Sequence, residues 1–177
     1  MSRVRRVVIV GGGTAGWMAA SGLAKSLGGT IDITLVESDD IGTVGVGEAV
    51  IPLIKSFHAL LELDEKEFIN AVNGTYKLGI EFENWGRLGE SYFHPFGTPG
   101  VEAWAEQFHH YWLRARRQGE TQVLRNFSLE ASMAEAGKFT LDSEPQAQYA
   151  YHFDAGVYAK LLRKLSEAHG VKRVEGK

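Results

Sequence analysis

Val7-Val8-Ile9-Val10-Gly11-Gly12-Gly13-Thr14-Ala15-Gly16 is the stretch whose reading decides the fold. Four β-branched residues read as a buried strand that breaks into a glycine-rich turn, and a helical pattern follows it. That helix runs from Trp17 to Leu27 with Met18, Ala19, Leu23 and Leu27 at helical spacing, and Gly28-Gly29 end it. A second strand, Ile31 to Val36, is closed by an acidic residue, Glu37, about 20 residues past the last glycine. Strand, turn, helix, strand and terminal acid in this register are the opening of a dinucleotide-binding βαβ unit.

Each part has a physical task. Gly11 allows the tight turn, Gly13 lets the backbone approach a pyrophosphate, and Gly16 lets the helix pack close to the strand. The helix begins at the phosphates, around Thr14 and Ala15, where free N–H groups and the positive dipole end favour an anion. The Glu37 carboxylate accepts hydrogen bonds from ribose hydroxyls and would repel a 2′-phosphate, which disfavours NADP.

The chain has 177 residues, enough for one domain with a sizeable core, and 44% of them are hydrophobic. Its 19 basic and 22 acidic side chains leave a net charge of −3, so no global field draws it to nucleic acid or to an anionic membrane. No apolar run approaches the roughly 18 residues needed to span a bilayer. With no cysteine, the sequence has no disulfides, thiolate metal sites or cysteine nucleophiles, and a reducing cytoplasm is the expected compartment. The cluster Arg114, Arg116, Arg117 reads as a solvated helix face.

Residues 41–52 are too rich in glycine for a regular element and too apolar for a solvated loop, which suggests close backbone approach to a flat ligand. Leu53 to Val72 is helical in two pieces, with Ile54, Phe57, Leu60 and Leu61 on one stripe and Phe68, Ile69 and Val72 beyond. Tyr76 to Trp85 alternates as a strand, placing Lys77 on the face opposite Tyr76, Leu78, Ile80 and Phe82, where a lysine is normally solvated. Glu102 to Gln118 reads as an amphipathic helix whose Trp104, Phe108, Tyr111 and Trp112 face a core. Asp154 caps a helix running to His169, and Val171 to Val174 starts another strand. The pair His109-His110 lacks a third ligand at metal spacing, so no metal site is assigned. His152 beside Asp154 reads as local capping. A strand begun so late leaves the sheet incomplete, so the chain is expected to be the N-terminal part of a longer enzyme.

Beyond these local patterns, Gly11 to Ala20 together with Gly45-Val46-Gly47-Glu48-Ala49-Val50-Ile51-Pro52 resembles the flavin-dependent halogenases of the tryptophan halogenase family. Tyr76-Lys77-Leu78-Gly79-Ile80 before Asn84-Trp85, then Phe93-His94-Pro95-Phe96-Gly97 and Tyr151-His152-Phe153-Asp154-Ala155, match in the same order and extend the resemblance over nearly the whole chain. Trp17 after the last glycine and the second glycine loop are its most specific parts.

The resemblance implies a Rossmann-like α/β FAD-binding fold of the flavin monooxygenase type, incomplete at the C-terminus. Residues 5–40 would be the βαβ unit, 41–52 a flavin loop, and 53–177 mixed α/β and substrate-side elements. It implies FAD, held by Gly11, Gly13, Thr14, Ala15, Gly16 and Glu37 and by Val46, Gly47, Glu48 and Ala49 of the second loop. Reduced FADH2 would come from a separate flavin reductase. With O2 and a halide ion it would yield hypohalous acid, relayed to Lys77 and so to an indole or another electron-rich aromatic. His94 and Phe96 match positions that stack against the indole; the alternative is that both pack in an aromatic core with Trp104 and Phe108. A homodimer is compatible with these readings. An aromatic hydroxylase and a non-catalytic FAD-binding fragment are the competing readings.

The departures from the family pattern are Val50, where threonine is usual, and a shorter connection from Trp85 to Phe93; both leave the substrate open. The family's W-x-W-x-I-P motif and the glutamate paired with its lysine fall beyond residue 177, so this chain alone is expected to be inactive.

Overall fold

The computed structural model describes residues 3–41 and 48–177, with the side chain of Glu48 outside the description. The chain divides into two compact units, Met1–Thr75 with Tyr151–Lys177, and Tyr76–Ala150.

In the first unit, β1 (Arg6–Val10), α1 (Thr14–Leu27) and β2 (Asp32–Glu37) form the βαβ opening. β1 and β2 are parallel with Ile9 opposite Leu35. Near the C-terminus β8 (Lys172–Glu175) adds to the other side of β2, with Val36 opposite Val174, so the sheet order is β1-β2-β8. The strand expected to be buried is only half so: Val8 and Val10 are 65% and 83% exposed. β1 lies at an edge of this sheet, and its outward face is left open among the described residues.

The helix expected from Trp17 starts at Thr14, and its buried face is Trp17, Ala20, Ser21 and Ala24 rather than the stripe of Met18, Ala19, Leu23 and Leu27. Those four positions also have 3-and-4 spacing, but Ala20 and Ala24 are small enough for close packing against α6 (Ala155–Ala168), where Tyr158, Ala159 and Leu162 are buried. Asp154 caps α6 as expected, accepting a 2.9 Å hydrogen bond from the Val157 amide.

The two helical pieces are α2 (Ile54–Leu60) and α3 (Glu65–Ala71). On α2 the stripe departs from expectation: Leu60 is exposed and His58 is buried in its stead. His58 Nε2 shares a 2.9 Å hydrogen bond with the Tyr158 hydroxyl, and its ring lies among Phe68 at 4.3 Å and Tyr151 at 5.9 Å between centroids. A short strand, β3 (Glu48–Ala49), pairs antiparallel with β7 (Ala150–Phe153), Glu48 opposite Phe153. Residues 48–49 are therefore strand although the glycine content of 41–52 argues against any regular element there.

In the second unit the single strand expected from Tyr76 to Trp85 is two, β4 (Thr75–Lys77) and β5 (Gly79–Glu83), interrupted at Leu78. β5 forms a hairpin with β6 (Ser91–Pro95), Ile80 opposite His94. α4 spans Phe108–Arg117, not Glu102 to Gln118, and has no buried residue. Trp104 is fully exposed and Tyr111 is exposed, so neither faces a core; Phe108 packs on Phe127 at 5.0 Å. α5 (Leu129–Glu135) is capped by Ser128 and supplies Ala131 and Met133 to the interior.

Burial without a charged partner depresses the His58 pKa from 6.5 to about 4. Folded His58 therefore binds fewer protons than the unfolded chain between these values, and stability falls as pH drops from about 6.5 to about 4. Thermal melts across that window should show a loss on the order of 3 kcal/mol attributable to this ring. His58→Phe should flatten that part of the pH profile while lowering the neutral-pH stability by about 1 kcal/mol for the lost hydrogen bond.

Candidate functional site

The glycine turn between β1 and α1 is held by backbone geometry. Gly11 has φ +111°, a conformation that favours glycine, and its amide donates to the Val36 carbonyl at 2.9 Å. A Cβ on Gly16 would overlap the Gly11 carbonyl oxygen, so the first turn of α1 lies directly against the strand end. A Cβ on Gly13 would meet none of the described residues within 4 Å. Gly13 is the extended N-cap of α1 and provides no side-chain cap, so the first amides of the helix are offered without a competing acceptor from that position. This cradle fits the diphosphate of a dinucleotide. Thr14 Oγ1 donates a long hydrogen bond of 3.5 Å to the Ala155 carbonyl, and Ala15 is exposed on the first turn.

Glu37, at the end of β2, has three side-chain partners. Its Oε2 accepts from the Trp17 indole Nε1 at 3.2 Å, and its Oε1 accepts from Arg173 Nε at 2.6 Å and Arg163 Nη1 at 3.4 Å. Arg173 also reaches Asp39 Oδ1 and Glu175 Oε2, and its hydrogen bond to Glu37 leads the interactions that hold its pKa above the ordinary value. The carboxylate lies where a Cβ of Gly12 would be. Sequence reading found Glu37 but neither arginine: Arg173 is 136 positions away and becomes a neighbour only because β8 pairs with β2.

Of the second loop, Val46 and Gly47 lie outside the described residues. The Glu48 backbone is in β3, and Ala49 is exposed opposite His152. His152 is exposed, and Asp154 is occupied as a helix cap.

The second unit holds the other candidates. Lys77, expected on a solvated face, is 8% exposed. Lys77 and Gly79 share the buried face of this segment, and the Phe96 amide donates to the Leu78 carbonyl at 2.9 Å, which extends the β5–β6 pairing and sets Phe96 beside the lysine. Lys77 Nζ lies 5.3 Å from the Phe96 ring centroid, a cation–π distance. Desolvation by burial lowers the Lys77 pKa, raising the share of neutral amine. His94 is exposed on β6 and Phe96 is half-buried. Of the aromatic core that is the alternative for this pair, Trp104 is not a part, being fully exposed, and Phe108 packs on Phe127.

Glu130 beneath this segment gave no sequence signal. It is 4% exposed, accepts from the Gln148 amide at 2.8 Å and the Ser128 hydroxyl at 3.2 Å, and its carboxylate fills the space a Gly97 Cβ would need. The His109 and His110 rings lie 4.0 Å apart, and among the described residues no three His, Asp or Glu side chains gather as a metal centre would require. No described helix is long and apolar enough to cross a membrane.

The tryptophan halogenase family model matches residues 6–177. A tryptophan 6-halogenase from Streptomyces toxytricini is 38% identical over 192 residues, covering 96% of this chain and 37% of that protein. A tryptophan 7-halogenase from Lentzea aerocolonigenes is 38% identical over 194 residues, covering 98% of this chain and 36% of that one. Among solved structures, a flavin-dependent halogenase from Xanthomonas campestris has a TM-score of 0.91 at 50% identity, covering 99% of this chain and 36% of that one. The flavin-dependent halogenase BrvH from Brevundimonas has a TM-score of 0.86 at 42% identity. The chain thus spans a little over a third of the length of the relatives it matches.

Two glycine substitutions should separate folding from cofactor binding. Gly13→Ala is expected to leave stability within about 1 kcal/mol, since the new methyl meets no atom of the described residues, while FAD affinity measured by calorimetry falls about tenfold through crowding of the diphosphate. Gly16→Ala should instead lower the melting temperature, at a cost of roughly 1–3 kcal/mol, because its methyl meets backbone.

Proposed function

The chain belongs to the tryptophan halogenase family, and on that premise we propose that the whole protein is an FADH2- and O2-dependent halogenase of an indole or another electron-rich aromatic, with Lys77 delivering the halogen. The observation that carries this reading is the burial of Lys77 against Phe96.

FAD would be held by the backbone of Gly11, Gly13, Thr14, Ala15 and Gly16, by Glu37, and by the 46–49 loop with Val46, Gly47, Glu48 and Ala49. When bound in its reduced form the cofactor would activate O2, which is the oxidant: it would take two electrons from the flavin and two from the halide, giving hypohalous acid, water and oxidised FAD. A separate flavin reductase would supply the reduced form. The absence of cysteine is in keeping with work in the cytoplasm.

Lys77 suits the delivery step for two chemical reasons. Its ammonium form can donate a hydrogen bond to hypohalous acid and polarise it towards the ring, and its neutral form can carry the halogen as a haloamine. Desolvation by burial shifts the balance towards the neutral form. Arginine would offer neither the neutral state nor the compact point of attachment. His94 and Phe96 would orient a flat substrate, with ring stacking contributing about 0.5–1.5 kcal/mol beyond simple burial.

In the full-length protein, Lys77→Ala is expected to reduce halogenated product by roughly a hundredfold or more, the range associated with loss of a positioned catalytic group. Oxidation of reduced FAD by O2 should continue, and Lys77→Arg should fail to restore halogenation. Chromatography of bromide reactions over an indole panel is the check. Oxygenated product formed at an undiminished rate by Lys77→Ala would identify an aromatic hydroxylase instead.

A further inference from the structure

The Glu37 carboxylate is not a free acceptor awaiting a ligand; its orientation is set by donors from three elements. Trp17 is 1% exposed in the first turns of α1, and its indole N–H is directed at Oε2. Arg173 of β8 and Arg163 of α6 both donate to Oε1. Each carboxylate oxygen has two lone pairs. Among the described residues Oε1 has both engaged, whereas Oε2 accepts one hydrogen bond and keeps one acceptor position. The missing side chain of Gly12 gives Oε2 room over the glycine turn itself.

From this asymmetry we propose that Trp17 and Arg173 are positioning residues for cofactor recognition: they fix Glu37 so that Oε2 is the atom that receives the adenosine ribose. The inference rests on the proposal that Glu37 reads that ribose, and it adds which oxygen does so and what holds it. Arg173 turns the carboxylate by occupying Oε1, and Trp17 stops it from swinging away from the glycine turn. A carboxylate without these donors would sample several rotamers, and the entropy of fixing one would be lost on binding. The same arrangement gives Trp17 a task that packing alone does not require, since phenylalanine fills much of the same space but has no N–H.

The test uses full-length protein and a ligand pair that differs only in the atoms at issue, ADP and 2′,3′-dideoxy-ADP, each displacing FAD. Wild-type protein should prefer ADP. Trp17→Phe is expected to weaken ADP binding about five- to fiftyfold, the size expected for losing well-oriented hydrogen bonds to a charged group, while leaving dideoxy-ADP affinity nearly unchanged. Arg173→Gln should act in the same direction. If both variants lose affinity for the two nucleotides equally, or lose none, the positioning role is overturned. Should Trp17→Phe not fold, Arg173→Gln decides the matter on its own, being on the strand β8 rather than in the helix core. A wild-type protein that binds ADP and its dideoxy analogue alike would remove the Glu37 ribose reading itself, which is a distinguishable failure.

Discussion

The contact between the first turn of α1 and the carbonyl of Gly11, possible because Gly16 has no side chain, sets the position of everything else in the first unit. It fixes how close the helix comes to β1. That distance places Trp17 in the core, brings Ala20 and Ala24 against α6, and sets the indole N–H opposite Glu37. Since α6 leads directly into β8, the same packing delivers Arg173 to the other oxygen of that carboxylate. A backbone approach thus governs side-chain chemistry at the C-terminal end of β2.

Features specified by neighbouring residues were legible in the sequence. The glycine turn, Glu37 at a strand end, the Asp154 cap, the paired short helices and the late strand all depend on spacing within one or two elements. Features specified by distant partners were not. His58 is buried on α2 where periodicity assigned burial to Leu60, and Tyr158, 100 residues away, shares a hydrogen bond with the ring. The aromatic residues from Trp104 to Trp112 suggested a buried helical face, but a hydrophobic pattern records only the capacity to be buried; nothing in the described structure covers Trp104.

Lys77 shows the same limit with functional weight. Alternation placed it on a solvated face, which is the ordinary place for a lysine on a strand. The alternation persists through Leu78, but the face that carries Lys77 and Gly79 is the buried one, while Tyr76, Leu78 and Ile80 are half-buried; Phe96, whose amide bonds the Leu78 carbonyl, lies beside the lysine. The family resemblance drew attention to Lys77, whereas its burial and its contact with the aromatic ring are properties of the folded chain.

The fit between Gly97 and Glu130 has a consequence for how this region can be altered. A carboxylate occupying the space of an absent side chain makes the two positions strongly epistatic, since enlarging one requires the other to retreat. Glu130 cannot easily retreat while it serves the Gln148 amide and the Ser128 hydroxyl. Libraries that vary these sites one at a time would meet only the penalty of each, and new shapes beside Phe96 become accessible chiefly through paired changes.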